Sequence, residues 1–212
     1  LYKCIKCDLV YVYPEPKKEY LKDSVYSYES GYQSHKPKDL SKVPLTKSYK
    51  KIFDFIEKKG IKGKMLDVGC SNGEFLYHAK KRGFEVVGIE LNTRTAEIAK
   101  NNGINVHIGI IDDIVLPENS FDCVFLGDII EHVPNPKDFL NRCLSLVKKG
   151  GYIIISTPNL DCAWSKAGYY LYSLFKIPWS SVTPPYHLFQ FSVENLKELM
   201  IDSCLYIDSV WY

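Results

Sequence analysis

The sequence predicts one doubly wound α/β core of six or seven mostly parallel strands with helices on both faces, plus an N-terminal cap and an aromatic-rich insertion after strand five. Three observations predict it. From residue 65 onward, short apolar runs alternate with helical patterns, and that alternation imposes right-handed crossovers and a parallel sheet. The 212 residues suit one core with decorations better than two full domains. With 46% hydrophobic and 25% charged residues, the chain has enough apolar surface to bury, which excludes global disorder.

Residues 1–47 are rich in Tyr, Lys and Pro without a sustained period. They read as a short knuckle followed by an irregular cap that contributes a lid, and residues 48–212 as the main domain. Ile52, Phe53, Phe55 and Ile56 recur at helical spacing, and Gly60 and Gly63 close this entry helix over 48–59. Strand 65–68, helix 73–82, strand 84–90 and helix 93–102 follow. Strands at 104–108, 121–126 and 151–156, with a helix over 136–147, complete five strands. An insertion over 159–190 holds Trp164, Tyr169, Tyr170, Tyr172, Phe175, Trp179, Tyr186 and Phe189. It leaves the carboxyl edge of the sheet, where ligands bind in such folds. Ser192 caps a helix to about Ser203, although Ser192-Val193-Glu194-Asn195 only approximates a capping box. Leu205–Tyr212 reads as a sixth strand.

Lys plus Arg (27) nearly balance Asp plus Glu (25), and the basic residues are scattered. A nucleic-acid surface shows a basic stripe, so no nucleic-acid partner is expected. No apolar run reaches the ~20 residues needed to span a bilayer, and no export signal is visible. The seven cysteines are odd in number, and Cys123, Cys143 and Cys204 sit inside apolar runs. Buried thiols of this kind point to the cytoplasm rather than to a disulfide framework. Because the chain begins at Leu1 inside a folded motif, further residues are expected before it.

The segment Met65-Leu66-Asp67-Val68-Gly69-Cys70-Ser71-Asn72-Gly73-Glu74-Phe75 carries the chemistry. An apolar strand ends in an acid and turns through two glycines into a helix, which lets backbone approach a ligand closely. A tight turn without a ligand gives the same glycine pair. Val86-Val87-Gly88-Ile89-Glu90 adds a carboxylate at the end of the next strand, placed to accept hydrogen bonds from both ribose hydroxyls of a nucleoside. A dinucleotide turn wants G-x-G-x-x-G over a helix N-terminus. Here the spacing is G-x-x-x-G, and Glu74 repels a phosphate. A nicotinamide-dependent oxidoreductase is therefore the runner-up.

These stretches resemble the class I S-adenosylmethionine-dependent methyltransferases, a Rossmann-like family that includes ubiquinone-biosynthesis O-methyltransferases and sugar methyltransferases. The resemblance runs from about Lys51 onward. Besides the turn, it rests on Gly88-Ile89-Glu90, on Ser120-Phe121-Asp122-Cys123-Val124 with Glu131-His132-Val133, and on Lys149-Gly150-Gly151-Tyr152 leading into Ser156-Thr157-Pro158-Asn159. It implies S-adenosyl-L-methionine as cofactor and S-adenosyl-L-homocysteine as product. It also implies cofactor contacts at Asp67, Gly69, Cys70, Ser71, Asn72, Gly73 and Phe75, a ribose carboxylate at Glu90, and an adenine contact at Leu91. Ile111, Asp112 and Asp113 follow strand three, where relatives often hold the adenine amine with an acid; Ile110 stands directly after the glycine, so Asp112 or Asp113 takes that role. Gly127 and Asp128 face the methionine amino group.

The expected activity is methyl transfer to an oxygen, less readily a nitrogen, of a small metabolite such as a sugar or quinone precursor. A non-catalytic cofactor-binding domain of the same fold is the alternative. If residues 127–132 form a helical turn, Asp128, Glu131 and His132 share one face. His132 is the candidate general base, since imidazole titrates near neutrality; capping or packing of the loop is its bland role. His187, in Pro185-Tyr186-His187-Leu188-Phe189, is a second base or an acceptor contact. Acid–acid–histidine spacing also occurs in quinone O-methyltransferases, where it suggests a divalent cation. Carboxylates that contact only cofactor give the same spacing, and no metal ligand is assigned. The aromatics of the insertion, with Tyr26, Tyr28 and Tyr32, suit a lid over a sulfonium. Cys4-Ile5-Lys6-Cys7 is half of a zinc knuckle. With two ligands of four, zinc is not expected there unless His35 or another chain completes the set. The family's antiparallel seventh strand has no room before Tyr212.

Overall fold

Thr46 starts the first long helix by accepting the Tyr49 N–H, and the buried side chains Ile52, Phe53 and Ile56 fall on one face of it. In a computed structural model of the chain, which describes residues 1–14, 16, 39–177 and 186–211, this helix is α1 (Lys47–Lys58). The fold divides into two compact units.

The larger unit holds residues 39–127 and 142–155. Its sheet contains β3 (Lys64–Val68), β4 (Glu85–Glu90), β5 (Asn105–Ile108), β6 (Phe121–Gly127) and β7 (Val147–Ser156), in the order β5-β4-β3-β6-β7. It is a central parallel sheet of five strands. Met65 lies opposite Val86 on one side and Cys123 on the other, which makes β3 the middle strand. Helices α2 (Glu74–Lys81) and α3 (Thr93–Asn101) supply the crossovers. The core gathers Phe53, Phe75, Phe84, Met65, Leu76, Phe125 and Ile154. Phe75 anchors it, stacked on Phe53 at 4.9 Å and tilted on Phe125 at 4.0 Å between ring centres. Such aromatic pairs add about 0.5–1.5 kcal/mol beyond their buried area. Asp122 locks the opposite end of the sheet by accepting the Lys64 N–H at 2.7 Å and the Lys148 ammonium at 2.8 Å. These partners hold its carboxyl below the ordinary range, although burial works the other way.

The smaller unit takes residues 1–14, 128–141, 156–177 and 186–211. Its antiparallel sheet pairs β1 (Tyr2–Lys3) with β2 (Val10–Tyr11), and β2 with β8 (Phe189–Gln190). Two-residue strands carry no alternation, so this sheet leaves no trace in the hydrophobic pattern. The unit also holds α5 (Ala163–Phe175), α6 (Val193–Asp202) and the start of α4 (Pro136–Leu146).

Three expectations are corrected. Residues 205–211 form no strand: Tyr206, Val210 and Trp211 are exposed, and their alternation marks surface chain rather than a sheet edge. Among the described residues the main sheet accordingly has five strands, not six or seven. Within the insertion runs α5, its N-cap the Cys162 Sγ that accepts from the Ser165 N–H. Trp164, Tyr170, Leu174 and Phe175 lie on the exposed side of that helix, so its apolar side chains are not confined to a buried face, which erases the amphipathic signature. The capping box at Ser192 is complete, since the Asn195 side chain returns to the cap backbone in place of an acid. Tyr26, Tyr28, Tyr32, His35, Trp179 and Pro185 lie outside the described residues.

Candidate active site

In the larger unit, the turn from β3 into α2 is stitched to the end of β4. The N–H groups of Gly69 and Cys70 both donate to the Ile89 carbonyl, at 2.8 and 3.0 Å, and Gly73 N–H closes on the Cys70 carbonyl at 2.9 Å. Gly69, Ser71 and Gly73 all have positive φ. Glu90 completes the turn: its Oε2 accepts the Ser71 N–H at 2.8 Å and its Oε1 the Asn92 N–H at 2.7 Å. Asn72 accepts the Glu74 N–H and so starts α2. Glycine at the N-cap offers no side-chain oxygen, and Asn72 substitutes for it from one residue earlier.

Each carboxylate oxygen has a second lone pair, so Glu90 can hold the turn and still accept a ligand hydroxyl. Asp67 is buried at the end of β3, and burial followed by the charge of Glu90 raises its carboxyl well above the ordinary 3.8. Glu90 is raised by the same burial, with the backbone N–H groups of Asn92 and Ser71 opposing the shift. Two acids with raised folded-state values bind more protons folded than unfolded. The unliganded protein therefore loses stability as pH rises from about 4 through those values. Asp67→Asn is expected to raise the melting temperature of the unliganded protein at pH 7 and to flatten this slope. Thermal melts at pH 5, 7 and 8 check both effects; a lower melting temperature at pH 7 refutes the account.

The other expected cofactor residues divide clearly. Leu91 is half-buried directly after Glu90, and Asp112 and Asp113 lie exposed in a 3-10 turn that starts at buried Ile111. Gly127 ends β6. Cys70 offers backbone only, because its buried thiol packs toward Gly88, where an added Cβ would lie 2.5 Å from Sγ. The Phe75 ring packs in the aromatic core against Phe53 and Phe125.

The smaller unit contains the acid–histidine group. Residues 127–132 do not meet the condition of a helical turn. Asp128 takes φ +50, is exposed, and accepts the Ser156 hydroxyl at 3.2 Å, while a tighter turn closes from His132 N–H to the Ile129 carbonyl. Glu131 and His132 are buried, and His187 joins them. One donor atom from each of the three lies within 4.8 Å of the others. The His132 and His187 rings meet edge to face at 4.8 Å between centres.

Backbone from the end of the insertion clips this group together. The Glu131 carbonyl accepts the N–H groups of Leu188 and Phe189, and His132 Nδ1 lies 2.6 Å from the Tyr186 carbonyl. A carbonyl only accepts, so Nδ1 carries the proton, and in the neutral ring Nε2 carries the lone pair. Burial, then the neighbouring His187, lowers the imidazole to about 4, so its 3.9 Å approach to Glu131 Oε1 is not an ion pair at neutral pH. Glu131 Oε2 accepts the Thr157 hydroxyl at 2.9 Å. Its Oε1 is buried without a hydrogen-bond partner among the described residues, and burial raises the carboxyl to about 7. The sequence reading weighed Glu131 with Asp128 and His132 and assigned it no ligand role; the participation of His187 was not visible from the spacing.

Comparison with known proteins gives this arrangement its context. Residues 34–204 match the family described as methyltransferase domain. Ubiquinone biosynthesis O-methyltransferase of Chromobacterium violaceum is 32% identical over 131 residues, which are 58% of this chain and 56% of that protein. Its namesake in Haemophilus ducreyi is 34% identical over 121 residues, 50% and 51% of the two chains. The chain spans about half the length of these curated relatives. Among solved structures, an S-adenosylmethionine-dependent methyltransferase of Thermotoga maritima, a possible histamine N-methyltransferase, superposes with TM-score 0.58 at 25% identity, over 73% of this chain and 70% of that one. A methyltransferase from Archaeoglobus fulgidus shares the fold at TM-score 0.58 and 23% identity, over 74% and 66%. The chain belongs to the class I S-adenosylmethionine-dependent methyltransferase family. No helix among the described residues is long and apolar enough to cross a membrane.

Proposed function

We propose that the chain transfers the methyl group of S-adenosyl-L-methionine to an oxygen of a small metabolite, with a quinone precursor or a sugar as the acceptor class. The observation that carries this reading is the turn fastened by Glu90. It offers glycines without Cβ and two buried carboxylates that repel each other. That electrostatic setting disfavours a pyrophosphate and favours a ligand with a sulfonium and an ammonium, whose positive charges relieve the repulsion between Asp67 and Glu90. In this reading Glu90 holds the ribose, Leu91 meets the adenine with Asp112 or Asp113, and Gly127 and Asp128 receive the methionine end.

Methyl transfer asks for an aligned nucleophile and a place for its proton. His132 Nε2 takes that proton, because the Tyr186 carbonyl fixes the tautomer, and His187 contacts the acceptor or shares the proton. Oxygen is favoured over nitrogen because a hydroxyl needs such a base more than a neutral amine does. The O-methyltransferase relatives point the same way.

Calorimetric titration with S-adenosylhomocysteine tests the foundation, and absence of saturable binding ends the proposal. Glu90→Ala is expected to weaken that binding more than tenfold, since hydrogen bonds to a charged group contribute about 1.5–3 kcal/mol. An unchanged affinity places the ribose elsewhere. Incubating the enzyme and labelled S-adenosylmethionine with fractionated metabolites then identifies the acceptor.

A further inference from the structure

We propose that Glu131 Oε1, His132 Nε2 and a ring nitrogen of His187 form a binding site for one transition-metal dication of the zinc class. Three features of the smaller unit converge on it. One ligand atom from each of the three buried residues lies within 4.8 Å of the others, and Glu131 Oε1 and His132 Nε2 are 3.9 Å apart. Bonds of about 2.0–2.2 Å to a tetrahedral ion require ligand atoms roughly 3.4 Å apart, so the three close by about 1 Å or less on average. The outer contacts are those of metal ligands: His132 gives its other ring N–H to a backbone carbonyl, and Glu131 receives the Thr157 hydroxyl on its other oxygen. Glu131 Oε1, finally, is a buried acceptor with no donor among the described residues, and such an orphan calls for a proton or a cation.

This donor set is not acid–acid–histidine. Asp128 is exposed and turned to Ser156, and a second imidazole stands where a second carboxylate would be. Two nitrogens and one oxygen select zinc, cobalt or iron over magnesium, which wants an oxygen-rich octahedron. The inference rests on the proposed methyl-transfer reading only in its consequence. An ion on Nε2 engages the lone pair that proton removal needs, so metal loading and the base role of His132 exclude each other at that atom.

Cobalt(II) is the probe, added to chelator-treated protein carrying Cys4→Ser and Cys7→Ser so that the thiol pair does not compete. The expected result is one equivalent bound, with visible absorption of a four- or five-coordinate ion and no sulfur charge-transfer band. His187→Asn and Glu131→Gln are each expected to weaken binding by at least tenfold, and Thr157→Val by about tenfold through the orientation of Glu131. Asp128→Asn is expected to leave it unchanged. Thermal melts establish that each variant is folded. No visible band at saturating cobalt, an octahedral spectrum, or a loss caused by Asp128→Asn but not by His187→Asn overturns the site. Titration with S-adenosylhomocysteine on the same samples reads the cofactor half independently, so failure of the metal site is distinguishable from failure of the methyl-transfer reading.

Discussion

His132→Asn is expected to slow methyl transfer by about 10²–10⁴-fold, the usual contribution of a positioned proton acceptor, while leaving the affinity for S-adenosylhomocysteine unchanged. Asparagine is the informative replacement because its amide N–H can still reach toward the Tyr186 carbonyl, which His132 Nδ1 meets at 2.6 Å. The backbone clip then persists and only the Nε2 lone pair is lost. His187→Asn is expected to act through the acceptor, raising KM more than it lowers kcat if its role is contact rather than proton transfer. Labelled-methyl incorporation into the identified acceptor is the measurement. Wild-type turnover in His132→Asn reduces this histidine to packing.

Gly73→Val is expected to be the most damaging change in the larger unit. At φ +79 a branched side chain is strained by about 1–3 kcal/mol. An added Cβ would also lie 2.8 Å from the Ala99 Cβ and 3.3 Å from Ile104 Cγ1, in a core that has no room to retreat. Overpacking of this kind costs about 1–3 kcal/mol more. The combined loss of several kcal/mol appears as a lower midpoint in urea unfolding with an unchanged slope. A midpoint equal to wild type shows that the turn relaxes freely and that its glycines are not required by packing.

How far the sequence could be read differed between the units for physical reasons. In the larger unit, strand–helix alternation and two glycines located β3, α2 and β4 within a residue or two, because buried parallel strands must be continuously apolar. The motif acid and Glu90 were legible as a pair for the same reason: each ends a strand, and neighbouring strands place their ends side by side. The smaller unit resisted. Its strands are two residues long, α5 has no single apolar face, and its acid–histidine cluster depends on His187 returning from far along the chain. Spacing within residues 127–132 suggested a shared face for Asp128, Glu131 and His132, but a left-handed backbone at Asp128 turned it outward.

The contact that sets the imidazole's tautomer comes from a peptide group, not from a side chain. A change of side chain at residue 186 therefore leaves unchanged which nitrogen carries the proton. In the proposed mechanism the base is set by the path of the main chain and not by the side chain at residue 186.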